Sequence, residues 1–455
     1  MLGEDPAGRE RAETWLEAHP EVASVTLAVT DLNGIFRGKR APAAQLAKVF
    51  TAGIRMPLSA LGVDVWGVDV LTSGLVFESG DVDGVCWPTG RGPLASPWAE
   101  RPAGFLPMWM AEDDGTPFAG DPRVVLGQVL ERYRRAGLTP VVATELEFHL
   151  VDPAAPRPAP PRSPRTGRRV AEDHVLAVDQ LETFAAFLDD VHRAAQALDV
   201  PAEAAISENG AGQFEINLGH VADALRAADD ALQFKRIVKG VAKQHGLAAT
   251  FMAKPYGARS GSGLHVHLSL LDADGRNVFD DGSEQGSAVL LSAVAGLLDA
   301  MPETMLLFAP HLNSFRRLRP GTFAPAAAAW GYENRTTAIR IPGGVPSARR
   351  IEHRLAGADA NPYLVLAGVL GAAWLGIEQA RVPPDPVHGN AYAQDLPPLP
   401  QDWASAVDIF AASTRAREIV GPTAQRLLVG CKRQEIETFA QRVSGFEART
   451  YLDAV

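Results

Sequence analysis

The stretch VVATELEFHL, residues 141–150, alternates strictly between polar and apolar positions after its first four residues. Side chains i, i+2 and i+4 of a strand share one face, so Glu145, Glu147 and His149 lie on one side and Leu146, Phe148 and Leu150 on the other. Three more runs repeat the pattern. In GQFEINL, Gln213, Glu215 and Asn217 oppose Phe214, Ile216 and Leu218; in GLHVHLSL, His265, His267 and Ser269 oppose Leu264, Val266, Leu268 and Leu270. In RRIEHRL, Arg350, Glu352 and Arg354 oppose Ile351, His353 and Leu355. One such run reads equally well as a half-buried strand with a wet face. Taken together, the faces offer carboxylates (Glu145, Glu147, Glu215, Glu352) and imidazoles (His149, His265, His267) with no lysine among them. Crowded carboxylates resist ionisation unless cations hold them, and hard oxygen donors with an occasional imidazole suit Mg²⁺ or Mn²⁺. A metal-lined sheet face is the expectation.

Arginines supply the complementary charge. Arg316 and Arg317, Arg335 and Arg340, and Arg349, Arg350 and Arg354 fall within 40 residues. A guanidinium fork grips carboxylate or phosphate oxygens two at a time. Divalent ions and arginines together point to a small anionic substrate that carries phosphate, such as ATP.

The 455 residues are 46% hydrophobic and 21% charged, the composition of a soluble globular chain with room for two or three domains. A net charge of −11 disfavours nucleic acid and anionic lipid as partners. Two cysteines, Cys86 and Cys431, cannot build a disulfide framework, and no basic segment followed by an apolar run opens the chain. A cytoplasmic location is expected. The uncharged run Asn361 to Ile377 is too short to span a membrane and reads as a helix buried on all sides.

Residues from about Ala23 to Leu106 carry short β-like runs (ASVTLAVTDL, GVDVWGVDV, GLVFES), which predict a small β-rich domain. From Arg123 onward, helical patterns alternate with short strands, which predicts a large α+β domain built on a sheet. The helical runs are VVLGQVLERYRRAG, DQLETFAAFLDDVHRAAQAL, VADALRAADDALQFKRIVKGVAKQHG and SAVLLSAVAGLLDAMPETMLLF. Val151 to Arg169, with six prolines and five arginines, reads as a surface excursion.

The motifs TELEF, SENGAGQFE, KPYGARSGSGLHVH, NSFRRLRPG, NRTTAIRIP and RRIEHR, in that order, resemble the glutamine synthetase family of the bacterial long type. The resemblance runs from about Val22 to the C-terminus. It implies an α+β chain with a small β-grasp domain over residues 20–108 and a catalytic domain over 112–455, whose antiparallel sheet walls the active site. It also implies two stacked hexameric rings, with sites between neighbouring subunits. Carried over by position, it places Glu147, Glu208 and Glu215 on a first Mg²⁺ or Mn²⁺ and Glu145, His265 and Glu352 on a second, for two to three ions per site. Glu203, His267 and Ser269 would meet ATP. Glu147, Gly261, Arg317 and Arg354 would hold glutamate, and Arg335, Arg340 and Arg350 would neutralise the transferring phosphate. The implied catalytic residues are Arg335 and Arg317. The implied reaction is ATP-dependent formation of a γ-glutamyl amide through γ-glutamyl phosphate.

Two departures bear on the nitrogen donor. Glutamine synthetases carry a Glu in the loop after NSFRRLRPG where this chain has Phe323, and an N-terminal Asp where this chain has Leu58. Two carboxylates that attract ammonium are thus replaced by apolar groups. Asp64 is the nearest carboxylate that could have moved in, and Trp66, Trp330 and Tyr332 could shape a larger pocket. The expected acceptor is an organic amine, as in the γ-glutamylpolyamine and γ-glutamylethanolamide synthetase branches. A true glutamine synthetase, or a non-catalytic relative serving as a binding or scaffold protein, are the alternatives. Ser260 replaces a family Asn at the glutamate site, and the inserted residues around Tyr392 disfavour control by adenylylation.

Overall fold

The computed structural model describes residues 6–171, 173, 175–319, 321 and 324–455. Phe323 lies outside the described residues. After an opening helix, Pro6–Ala18, the chain forms β1 (Ser24–Thr30), β2 (Phe36–Pro42), β3 (Ile54–Pro57), β4 (Asp83–Pro88), β5 (Leu94–Ala95) and β6 (Gly104–Ala111). These make one sheet in the order β2-β1-β6-β4-β3, with β5 also on β6 and only the β1–β6 pair parallel. Of the three β-like runs expected here, only the first is a strand. GVDVWGVDV and GLVFES are turns and bends on either side of a 3₁₀ turn, Leu71–Ser73, and in the first run Asp64 accepts the backbone N–H groups of Trp66 and Val68 and curls the chain. The strand FRGKRAP, with its exposed charged residues, occupies an edge and lacks the alternation that would have announced it.

The second sheet contains β7 (Thr139–Val151), β8 (Ala202–Ser207), β9 (Gln213–Leu218), β10 (Ala248–Thr250), β11 (Leu264–Leu271), β12 (Trp330–Tyr332), β13 (Ile339–Ile341) and β14 (Ile351–His353). Its order is β12-β13-β14-β11-β7-β9-β8, with β10 also on β7. Every pair is antiparallel except β12–β13. The four alternating runs thus become adjacent strands, and their registers set Glu145 opposite His265 and Asn217, Glu147 opposite Glu215, and His267 opposite Glu352.

The apolar face anchors this register. Phe148 sits among Phe187, Phe214, Phe234 and Phe251 with ring centroids 5.7–6.3 Å apart. Slipping one strand by a residue would drive a carboxylate into that aromatic core. The helices cover this face. Ala224–Gln244 lies on β7, and Ala288–Phe308 crosses Pro362–Glu378 where a Cβ on Gly296 would come within 2.3 Å of the Ala372 carbonyl. Asn361–Ile377 is indeed a helix buried on all sides. Ala288–Phe308 is long and apolar enough to cross a membrane, but most of it is interior. The run expected as one helix over 179–198 breaks at Phe184 into Val178–Thr183 and Ala185–Ala197. Residues 152–169 are irregular, and Asp152 ties them down through Arg162 and Arg169.

A polar seam joins the two sheets. Lys432 and Glu435, both fully buried on helix Pro422–Ala440, pair at 3.0 Å. The Lys432 ammonium also donates to the Asn33 side chain, and Glu435 accepts the Val65 backbone N–H at 2.9 Å. His311 lies 3.7 Å from Glu435, at the start of the loop that leads to Arg317. Burial pushes the Glu435 carboxyl up, but Lys432 and His311 overcome it and hold the group at about 2.

Candidate active site

Glu145 stands at the centre of the polar face. Its two oxygens accept from His265 Nδ1 at 3.0 Å and His267 Nε2 at 2.6 Å. Arg350 Nε donates to His267 Nδ1 at 3.1 Å, so that nitrogen carries a lone pair and the ring proton sits on Nε2, facing Glu145. His265 points Nδ1 at Glu145, and its Nε2, 3.9 Å from Glu147, is the ring nitrogen placed to meet a metal. Burial works against ionising Glu145, yet the two imidazoles hold its carboxyl well below the usual range.

Its neighbours go the other way. Burial, reinforced by the charges of Glu145, Glu147 and Glu208, raises Glu215 to about 9. Burial and Glu147 raise Glu208 to about 7. Glu352 is held down instead, because Arg354 first and then His265 and His267 outweigh the cost of burial; Arg354 donates to one of its oxygens and Arg340 to the other at 2.8 Å.

The donor atoms of Glu145, His267 and Glu352 lie within 4.8 Å of one another, as do those of Glu145, Glu215 and His265. This carboxylate and imidazole set fits a hard divalent cation, and raised carboxylates need cationic charge beside them. Glu145 belongs to both groups, beside His267 and Glu352 in one and beside Glu215 and His265 in the other. Glu147 and Glu208 flank this cluster, Glu147 accepting from Gln213 Nε2 at 3.1 Å and from the Gly263 backbone N–H at 3.0 Å.

Two arginines close one end. Arg317 is buried and donates to the Leu355 carbonyl at 2.9 Å, and Glu147 and Arg354 are among the charges that act on it. It passes so close to the chain that a Cβ on Gly263 would lie 2.7 Å from its Nη2, and one on Gly261 would lie 2.9 Å from its Cγ. Only glycine fits there. Asn313 locks this loop by exchanging two hydrogen bonds, 2.9 and 3.0 Å, with the backbone of Lys254. At the other end, Glu203 is exposed near His220, whose ring lies 5.9 Å from His267, and Ser269 follows on the same strand face. Arg335 is exposed, with its charge felt at Glu208, and Arg340 bridges Glu352 and Glu333.

Leu58 and Asp64, both expected at the amine pocket, lie in the N-terminal unit. Leu58 is buried in the hydrophobic core of the N-terminal sheet, where it limits the space beside Gly84. Asp64 accepts from Trp66, Val68 and Gln434, at 3.0, 2.9 and 2.8 Å. Trp330 is buried with its indole N–H on the Pro384 carbonyl, Tyr332 donates to Gln285, and Trp66 packs on Phe439. A surface hollow of about 730 Å³ lies beside helix Pro422–Ala440, away from the carboxylate face.

The polar face, its metal-type donors and the arginine end are those of a carboxylate-activating ligase of the glutamine synthetase kind. Residues 119–451 match the glutamine synthetase catalytic domain, and the chain belongs to the glutamine synthetase family. It is 39% identical to the γ-glutamylputrescine synthetase of Escherichia coli over 96% of this chain and 93% of that one. It is 34% identical to the γ-glutamylethanolamide synthetase of Streptomyces coelicolor, over 98% and 95%. A glutamate–isopropylamine ligase from a Pseudomonas species is 32% identical over 98% of each chain. Among solved structures, a GmaS/ADP complex superposes with a TM-score of 0.84 at 27% identity, over 97% of this chain and 99% of that one.

His220 and Asn313 were missed as site residues by sequence reasoning. His220 follows the end of β9, outside any alternating run, whereas Asn313 lay in a motif quoted only for its arginines. Gln213 was visible, two positions from Glu215 on the same face.

Proposed function

We propose that the protein is an ATP-dependent ligase that joins the γ-carboxyl group of glutamate to an organic amine. The observation that carries this reading is the juxtaposition of the carboxylate and imidazole face with the Arg317 and Arg354 end, in a chain whose relatives are named as ligases of glutamate with putrescine, ethanolamine and isopropylamine. Glu145, Glu147, Glu208, Glu215, His265 and Glu352, with His267 alongside, would hold two to three Mg²⁺ or Mn²⁺ ions. When bound, such ions supply positive charge to phosphate oxygens.

Arg317, Arg354, Glu147 and Gly261 hold glutamate with its γ-carboxylate toward the nucleotide. Glu203, His267, Ser269 and Arg350 bind ATP. A γ-carboxylate oxygen attacks the terminal phosphorus and ADP leaves, with Arg335 and Arg340 matching the charge on the moving phosphoryl group. The amine nitrogen then attacks the acyl carbon of γ-glutamyl phosphate. Phosphate departs, nitrogen gives up a proton, and the amide remains. Phe323, where glutamine synthetases have a carboxylate, weighs against ammonium as the donor.

The N-terminal unit, residues 20–108, has the strand content of a β-grasp domain, and 112–455 forms the catalytic unit. A ring assembly is supported by exposed apolar groups, Phe77 in the N-terminal unit and Phe446 and Leu452 near the C-terminus. A cytoplasmic location accords with two buried, unpaired cysteines. The deciding experiment measures phosphate release from ATP with glutamate and a panel of amines that includes ammonium. Organic amines should exceed ammonium in kcat/KM by at least about tenfold, the worth of one lost contact to charge. Efficient use of low ammonium would make this a glutamine synthetase, and no turnover with any amine would make it a binding protein.

A further inference from the structure

One strained and exposed apolar segment lies beside the site without a role in the chemistry above. Leu176 has φ = 59°, a left-handed conformation uncommon for a residue with a side chain. Leu176, Val175 and Val178 are 68%, 49% and 64% exposed. The strain persists because the segment is held at both sides. The Leu176 backbone N–H donates to the Ser207 carbonyl at 2.8 Å, one residue before Glu208. Asp173 accepts from the Ala211 N–H at 2.9 Å and from Arg259 Nη1 at 2.6 Å, while Arg259 Nη2 donates to the Ala171 carbonyl at 3.0 Å. The segment is thus fastened to the turn that carries Glu208 and, through Arg259, to the loop that carries Gly261.

We infer that Val175, Leu176 and Val178 form the wall against which the carbon chain of the acceptor amine lies, with Asp173 as the residue that positions them. The inference rests on the ligase reading of the same site and names the contact that selects its acceptor. The apolar side chains lie where such a molecule would extend. The segment is bonded one residue before Glu208 and, through Arg259, to the loop of Gly261, so an amine that reaches the glutamyl group there needs an apolar surface nearby for its methylenes. Strained backbone held in place from both sides is the kind of feature that sites retain.

The test uses the intact protein and a series of acceptors: ammonium, methylamine, propylamine and hexylamine. A wall that buries methylenes gives a kcat/KM that rises by up to about fourfold per added carbon, equivalent to about 0.8 kcal/mol each. Leu176→Gly removes the side chain where the backbone already favours glycine, so folding is preserved. It should flatten the rise with chain length and leave ammonium turnover and the KM for glutamate within about twofold. Asp173→Asn should raise the KM for propylamine while keeping kcat at saturation. An unchanged chain-length dependence in Leu176→Gly overturns the inference, as does a variant whose only defect is a smaller assembly in light scattering, since the segment would then be a subunit contact. An equal fall in kcat for every acceptor in Asp173→Asn overturns its positioning role. If the unmodified protein prefers ammonium to every amine, the ligase reading itself fails, whatever Leu176→Gly does.

Discussion

Two clusters of buried charge in this molecule behave in opposite ways. At the seam between the sheets, Lys432 and Glu435 satisfy each other, with Asn33 and Val65 taking up further hydrogen-bonding capacity, and Glu435 is held at about 2. On the catalytic face, Glu208 and Glu215 stand among like charges and are driven up to about 7 and 9. The first cluster is electrically complete within the chain. The second is complete only when something positive is added. A structural charge and a functional charge are thus told apart by whether the protein itself supplies the counterion, more than by depth of burial.

The comparison breaks most sharply at the seam. Lys432→Ala leaves a buried carboxylate unpaired and should lower stability by about 3–5 kcal/mol, measured by urea unfolding, while Lys432→Met with Glu435→Leu should be near neutral. The reverse holds on the catalytic face. Glu215→Gln should reduce phosphate release by about 10²–10³-fold, yet keep or raise the melting temperature of the metal-free protein, because the amide needs no proton taken up on folding to be buried among like charges.

Acid should act through the seam. Because Glu435 sits near 2 in the folded chain and near 4.5 when unfolded, its contribution is full above pH 4.5 and is lost as pH falls toward 2. The loss should be about 3 kcal/mol on this limb, and Glu435→Gln should abolish it. Finally, Mg²⁺ at a hundred times its dissociation constant should stabilise the protein by about 2.7 kcal/mol in thermal unfolding, an effect Glu215→Gln weakens and the seam variants leave intact.

Much of the catalytic sheet was legible in the sequence because two demands coincide there. Phe148, Phe214, Val266 and Ile351 must face the core, which forces Glu147, Glu215, His267 and Glu352 to the other side. The N-terminal sheet was less legible. Its edge strand FRGKRAP is too polar to alternate, and GVDVWGVDV alternates but is curled by the side chain of Asp64. A carboxylate's role is equally hidden when its partners are remote in the chain. Asp64 meets Gln434 across 370 residues, which no local pattern announces. That Glu145 reaches both imidazoles at once was also beyond strand periodicity, which assigns residues to a face but not side chains to partners.

The seam also says something about how the protein is made. Asn33 and Lys432 are 399 residues apart, so the turn after β1 leaves the ribosome long before the helix that completes its hydrogen bonding. Until Pro422–Ala440 is synthesised, the N-terminal sheet has polar groups at that edge that only water can satisfy, and Arg317's loop lacks the support it receives through His311. Assembly of the substrate end therefore waits on a helix that carries none of its proposed ligands, and nascent chains released short of Lys432 should fail at both ends of the fold together.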